Sequence, residues 1–522
     1  MPSYLSPGIY MEEVDRGSKP IEAVGTAVAA FIGYTEKASD VKNGETVSLV
    51  GKPTLVTNWT QYTQKFGGFV KGAYTPDSVY GYFANGGSIC YIVSIKTLGV
   101  AAPGSGKASA AEIPSTADKK KGALNFTARN AGPSGNNVVV EVKSPAATTD
   151  ADGKAIAATT FNVVVKVDGS VVEQFNDLSM AAGDANVATF VAQKSRVINV
   201  EVLGKGDLMP ADGSYSLAGG EISQKSISLS DYQGSVAERK GLGGLELIED
   251  VTMIIVPDLM SAFEAGEIDM KGVQAVQQSI IDYCELVRYC FAILDAPPGL
   301  MPQEIKEWRM SMNYDTTRAA LYYPWIEVPD MTNGRTKLMP PSGHMAGVYA
   351  RTDNTRGVHK APANELVRNC LGLGVNVTKG EHDLLNPIGI NVVRSFPGRG
   401  IRIWGARTLS SDASWRYINV RRLFNMVEES IERGTQWVVF EPNDTFLWSR
   451  VTRDVSSFLK MVWRSGALFG ATPEAAYYVK CDAETNPPEA RDLGQLVVEI
   501  GIAPVKPAEF VIFRIGQMQP GS

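Results

Sequence analysis

Apolar positions change their spacing several times along the 522 residues of this chain, and each change marks a predicted element. The first twenty residues hold one short extended segment, Ile9-Tyr10-Met11-Glu12-Glu13-Val14, set between Pro7-Gly8 and Gly17-Ser18-Lys19-Pro20. It has too little apolar surface to pack as its own unit, so it reads as an arm. An apolar run over residues 23–34 follows, and then Ile89-Cys90-Tyr91-Ile92-Val93, a buried strand bounded by Gly86-Gly87. Over residues 99–122 Ala, Gly, Ser and Lys dominate without an apolar period, which predicts a solvent-exposed linker. Strands return at residues 138–142, 163–167 and 171–175; the last two are joined by Asp168-Gly169, a pair favoured in tight type I′ hairpins.

The apolar run 251–256, the helical spacing of Val273, Val276, Ile280, Ile281 and Cys284, and the run 289–294 form a strand, helix, strand series. Continuously apolar strands in that order predict a parallel βαβ unit covered on both faces. Residues 319–323 offer a further strand before Pro324, and residues 343–351 the start of a helix. From residue 390 onward come the run Trp437-Val438-Val439-Phe440, a long helix over 445–464 and a strand at 477–480. Two terminal strand candidates close the chain, Leu496-Val497-Val498-Glu499-Ile500 (continuing to residue 502) and Phe510-Val511-Ile512-Phe513-Arg514-Ile515. Pro504 and Pro507 separate them and force a turn between hairpin-like strands. The predicted layout is an arm (1–20), an α/β core in two parts (21–99 and 231–389), a β-rich insertion (100–230) and an α+β C-terminal domain (390–522).

Composition narrows what such a chain does. Its length exceeds what one hydrophobic core sustains, and 44% apolar with 20% charged residues is a globular balance. A net charge of -6 gives no global reason to bind nucleic acid. Cys90, Cys284, Cys290, Cys370 and Cys481 show no CxxC spacing, which fits synthesis in a reducing cytoplasm. The first seventeen residues have neither a basic nor an apolar signal region, and the longest apolar run is too short for a bilayer. Membrane insertion is not expected, and an extracellular role would require lysis or release as part of a particle.

Catalytic chemistry is sparse. His344, His359 and His382 lack metal-site spacing, so no metal is expected. Gly104-Ser105-Gly106-Lys107-Ala108 fails as a phosphate loop, because Ala108 stands where a hydroxyl would hold magnesium. The strongest enzymatic hint is Asp258 and Asp295, each at the end of a predicted core strand, where open α/β sheets place their sites. A hydrolase-like or phosphotransfer activity is the alternative they suggest. The structural reading is that both acids cap turns beside prolines.

Longer motifs are more specific. Asn391-Val392-Val393-Arg394, Phe396-Pro397-Gly398-Arg399-Gly400-Ile401-Arg402-Ile403-Trp404-Gly405-Ala406-Arg407-Thr408-Leu409, Trp415-Arg416-Tyr417-Ile418-Asn419-Val420-Arg421-Arg422 and Pro487-Pro488-Glu489 resemble the contractile tail sheath family. So do the opening Pro2-Ser3-Tyr4-Leu5-Ser6-Pro7-Gly8-Ile9-Tyr10 and the stretch 500–510. The resemblance covers both termini and the α/β core, and the insertion only loosely. It implies a structural subunit, without nucleotide or metal cofactor, that forms a helical homopolymer of stacked rings around an inner tube. Contraction would drive that tube through a target envelope. Baseplate and terminal cap proteins are further implied partners, and the chain looks closer to extracellular contractile injection systems and R-type bacteriocins than to the two-chain type VI sheath. Under this resemblance the arm and the two terminal strands link subunits, since open strand edges join chains. On the 445–464 helix, Arg450, Arg453, Ser457, Lys460 and Arg464 fall on one stripe, which the resemblance suggests faces an acidic tube.

Overall fold

The computed structural model describes residues 20–514 except 43, 100–105, 146–147, 150–154, 157–158, 204–207 and 223–225. The arm segment Ile9 to Val14 and Ile515 therefore lie outside the described residues. The fold is mixed α/β, and the described residues form two compact units: Ala27–Arg351 with Pro362–Arg416, and Thr352–Ala361 with residues 20–26 and 417–514.

The first unit is built on an eight-stranded sheet. Its strands are β1 (Ala29–Thr35), β2 (Thr54–Val56), β3 (Cys90–Thr97), β4 (Met253–Ile255), β5 (Phe291–Asp295), β6 (Ala319–Tyr323), β7 (Ile390–Phe396) and β8 (Gly400–Ile403), in the order β8-β7-β6-β5-β4-β1-β3-β2. From β7 to β3 every pairing is parallel, and the edges β8 and β2 are antiparallel. Every residue of β1, β5 and β6 is buried, as strands covered on both faces require.

Three helices matter here: α1 (Thr75–Asn85), α2 (Met270–Val287) and α3 (Ser342–Arg356). The predicted βαβ unit is β4-α2-β5; Asp269 caps α2 by accepting from Gly272 N at 2.8 Å, and Val273, Val276, Ile280, Ile281 and Cys284 face the core. The start of α3 lies against α1, where a Cβ on Gly343 would stand 2.5 Å from Ser78 Cβ. Only glycine permits that approach.

Residues 106–222 fold into two four-stranded sheets that share one apolar core of Ile113, Leu124, Phe126, Val140, Val163 and Phe175, among others. Asp168 and Gly169 both have positive φ, 50° and 80°, as a type I′ turn demands. The exposed linker expected over 99–122 is corrected: Gly106–Pro114 is a strand that pairs antiparallel with Gly122–Ala131. Its small residues are a packing requirement, because Ser109 and Ala128 fit against Gly135, where a Cβ would be 2.7 Å from both side chains.

The boundary expected at residue 390 is also corrected. Strand β7 pairs with β6 (Leu321↔Ile390, Tyr323↔Val392), so residues 390–416 belong to the sheet unit, and the chain passes to the second unit at Tyr417. Residues 21–26, expected in the core, lie in the second unit. That unit contains α4 (Ile418–Gly434), α5 (Thr445–Arg464), β9 (Tyr477–Lys480) and β10 (Glu499–Ile502), around Ile21, Leu423, Val427, Trp448, Val451, Val455, Phe458 and Leu459. The run 437–440 is a short 3-10 turn and loop that leaves Phe440 fully exposed at φ 69°.

Candidate assembly surfaces

Asp258 and Asp295 are both buried and bound to backbone. Asp258 accepts from Tyr34 N at 2.6 Å, Thr75 N at 3.2 Å and Tyr74 N, which ties β1 to the start of α1. Asp295 accepts from Ser342 N at 3.0 Å and from the Ser342 hydroxyl, capping α3. Burial pushes their carboxyls up to about 6 and about 7 against the opposing pull of these hydrogen bonds. They cap distant elements rather than the turns that follow them. Among the described residues no group of three or more His, Cys, Asp or Glu is placed to hold a metal ion. His344 is buried, and desolvation lowers it to about 4.

Helix α5 is capped by Asp444, which accepts from Leu447 N at 2.9 Å. Leu447, Trp448, Val451, Val455, Phe458, Leu459 and Val462 are buried on one face. Arg453, Ser457, Lys460 and Arg464 are exposed on the other, while Arg450 lies 3.9 Å over the Trp437 ring. Arg453 Nε reaches Asp454 Oδ1 at 3.3 Å. Exposed Phe446 sits one turn before Arg450 on the same side, an apolar addition that the charge pattern did not reveal.

The terminal strands differ from expectation. Strands β9 and β10 pair antiparallel (Tyr477↔Ile502, Lys480↔Glu499) as a sheet of only two strands among the described residues. Leu496, Val497 and Val498 are not in the ladder. Buried Asn486 takes the place of a strand partner there: its Oδ1 accepts from Val497 N at 2.7 Å and its Nδ2 donates to Val497 O at 3.0 Å. Phe510, Val511, Ile512, Phe513 and Arg514 form no strand. An edge strand needs a neighbour's ladder, and the chain supplies none to this segment among its described residues. Phe510 to Phe513 are 68 to 84% exposed, four large apolar side chains in a row.

Profiles of two families match the chain: "Phage tail sheath protein central domain" over residues 241–409 and "Phage tail sheath C-terminal domain" over 410–517, together just over half of it. The chain belongs to the phage tail sheath protein family. The tail sheath protein of Vibrio phage KVP40 is 26% identical over 382 residues, 67% of this chain and 54% of that protein. This sheath-family chain thus spans little more than half the length of that relative. The tail sheath protein of Burkholderia phage BcepMu is 24% identical across 97% of this chain and 95% of its own.

In fold the chain is similar to the helical sheath of the anti-feeding prophage in its contracted state, with TM-score 0.58, 24% identity and coverage of 99% of this chain and 100% of that one. It is also similar to the crystal structure of a sheath tail protein from Desulfitobacterium hafniense, with TM-score 0.58, 12% identity and coverage of 91% and 94%. Among the described residues no helix is long and apolar enough to cross a membrane.

Proposed function

We propose that this chain is a sheath subunit that polymerises helically around an inner tube and contracts to drive the tube through a target envelope. Baseplate and terminal cap proteins bound the polymer, and the particle leaves the producing cell by lysis. The observation that carries the reading is the exposed run Phe510 to Phe513, which follows strand β10 of the two-stranded ladder along the sequence, in a chain of the tail sheath family. A long exposed apolar segment, like an open strand edge, is an aggregation hazard in a monomer, and it becomes a joint when a neighbour pairs with it. A contact of this kind that does not close on itself generates a helix. Residues 1–20 act as the complementary arm, the exposed stripe of α5 meets an acidic tube, and the β-rich residues 106–222 point outward. The enzymatic alternative has no support in the placement of its two acids, which are closed in by backbone donors. Negative-stain microscopy beside thermal unfolding tests the reading. The full chain should form sheaths and the chain lacking residues 1–20 should stay folded without forming them; normal contractile sheaths from the truncated chain would refute the linking arm.

A further inference from the structure

Residues 20–26 carry no helix or strand, yet they are held at three points along α4. Ile21 is buried against Gly434, where an added Cβ would stand 2.7 Å from Ile21 Cγ1. Val24 N donates to Ser430 Oγ at 3.1 Å, and that hydroxyl donates to Met426 O at 2.6 Å. The third hold is ionic. Arg422 grips Asp353 with both prongs, Nη1 to Oδ1 at 2.9 Å and Nη2 to Oδ2 at 2.6 Å, and Nη2 also donates to Thr26 O at 2.8 Å. Thr26 Oγ1 donates to Asp353 Oδ2 at 2.6 Å. The Arg422 and Asp353 side chains are 4% and 3% exposed. The segment thus runs back along α4 from residue 434 to residue 422.

A buried ion pair is a weak device for stability, because desolvation offsets most of its attraction. Its particular property is register. Apolar seats such as that of Ile21 are non-directional and let a chain slide, whereas a two-pronged guanidinium-carboxylate pair that also holds a backbone carbonyl fixes one position along the helix. We propose that Asp353, Arg422 and Thr26 form a lock at the root of the N-terminal segment, so that a pull on that segment by a neighbouring copy is carried into α4 instead of peeling residues 20–26 away. The three are positioning residues, and the lock's mechanical role rests on the reading that residues 1–20 join a neighbour.

The test has an isolated-chain arm and a particle arm. In the full chain, Asp353→Asn should speed cleavage by a Glu-specific protease after the exposed Glu22 by about tenfold or more, with cleavage elsewhere unchanged. Thr26→Val, which removes one hydroxyl, should speed it about threefold or more, and Thr26→Ser should restore the original rate. If Asp353→Asn unfolds the whole chain, the threonine pair decides; a Thr26→Val rate equal to the original overturns the lock. In assembled particles, Thr26→Val sheaths should break into short pieces on contraction while Thr26→Ser sheaths stay whole. Intact Thr26→Val sheaths overturn the mechanical role. Sheath formation by the chain lacking residues 1–20 would overturn the joining reading instead, which the protease assay on the isolated chain does not depend on.

Discussion

Asp258 and Asp295 stand where open α/β sheets place reactive groups, and both are committed to backbone amides. Their positions at strand ends are legible in the sequence. Their partners are not, since Ser342 lies 47 residues beyond Asp295 and Tyr34 lies 224 residues before Asp258. The commitment has a pH signature. Both folded values, about 6 and about 7, lie above the ordinary 3.8, so the neutral acids favour the folded state. Their contribution is fully present below about pH 4 and is lost as pH rises through 6 and 7. For Asp295 the loss should be about 1–3 kcal/mol between pH 5 and 8. Asp295→Asn keeps an acceptor for Ser342 without the charge, so its thermal midpoint should match or exceed that of the unaltered chain at pH 8 and vary less from pH 5 to 8. A steeper pH dependence in the variant would contradict this account. Asp258→Asn should behave differently, because its amide would meet backbone donors on both sides; a loss of about 1–3 kcal/mol in denaturant unfolding is expected at pH 7.

Elements were legible where their partners are near in sequence or where burial is total. The β4-α2-β5 unit and the hairpin at Asp168-Gly169 follow directly from apolar spacing and turn chemistry. Local spacing does not assign strand β7 to the sheet unit, because its partner β6 lies about seventy residues earlier and no local pattern encodes a parallel register. Strand 106–114 reads as a linker in sequence because its close packing requires Ala, Ser and Gly, the same residues that mark linkers. The terminal ladder stops at Glu499 because a side chain, Asn486, replaces a backbone partner. Asn486→Ala should therefore lower stability by about 1–3 kcal/mol in urea unfolding, as it leaves the amide and carbonyl of Val497 without this partner. Spacing alone reveals the exposed part of the α5 stripe, Arg453, Ser457, Lys460 and Arg464, but neither the half-buried seat of Arg450 on Trp437 nor the exposed Phe446. Arg453→Glu with Lys460→Glu should keep a cooperative unfolding transition, with the thermal midpoint lowered only by the loss of the Arg453–Asp454 contact, and should weaken tube docking about tenfold or more at low salt. Cosedimentation with tubes should show the deficit shrinking as salt rises; equal docking at every salt concentration would remove the stripe from the interface.

At the scale of the whole molecule, the β-rich residues are a graft with a narrow base. Gly106 and Ile222 are Cα partners in an antiparallel pair, so the chain leaves and returns within about 5.5 Å, one strand spacing. Between those points the apolar side chains form their own core, separate from the cluster that packs on the eight-stranded sheet. A region with a closed base and a private core can be removed without opening a cavity elsewhere. Replacing residues 107–221 with two glycines should therefore leave the unfolding midpoint within a few degrees and still yield sheaths. Residues 106–222 expressed alone should give a cooperative, β-rich unfolding transition. On the proposed reading, with a tube in the lumen and terminal segments as the joints between neighbours, an appended β region is accommodated only toward the outside. A peptide tag placed between Asp168 and Gly169, at an exposed hairpin tip, should be bound by antibody along the full length of assembled sheaths in both the extended and the contracted state. Failure of the deleted chain to assemble, or a tag that antibody reaches only after the particles are dissociated, would place the region at a subunit contact and overturn its outward position.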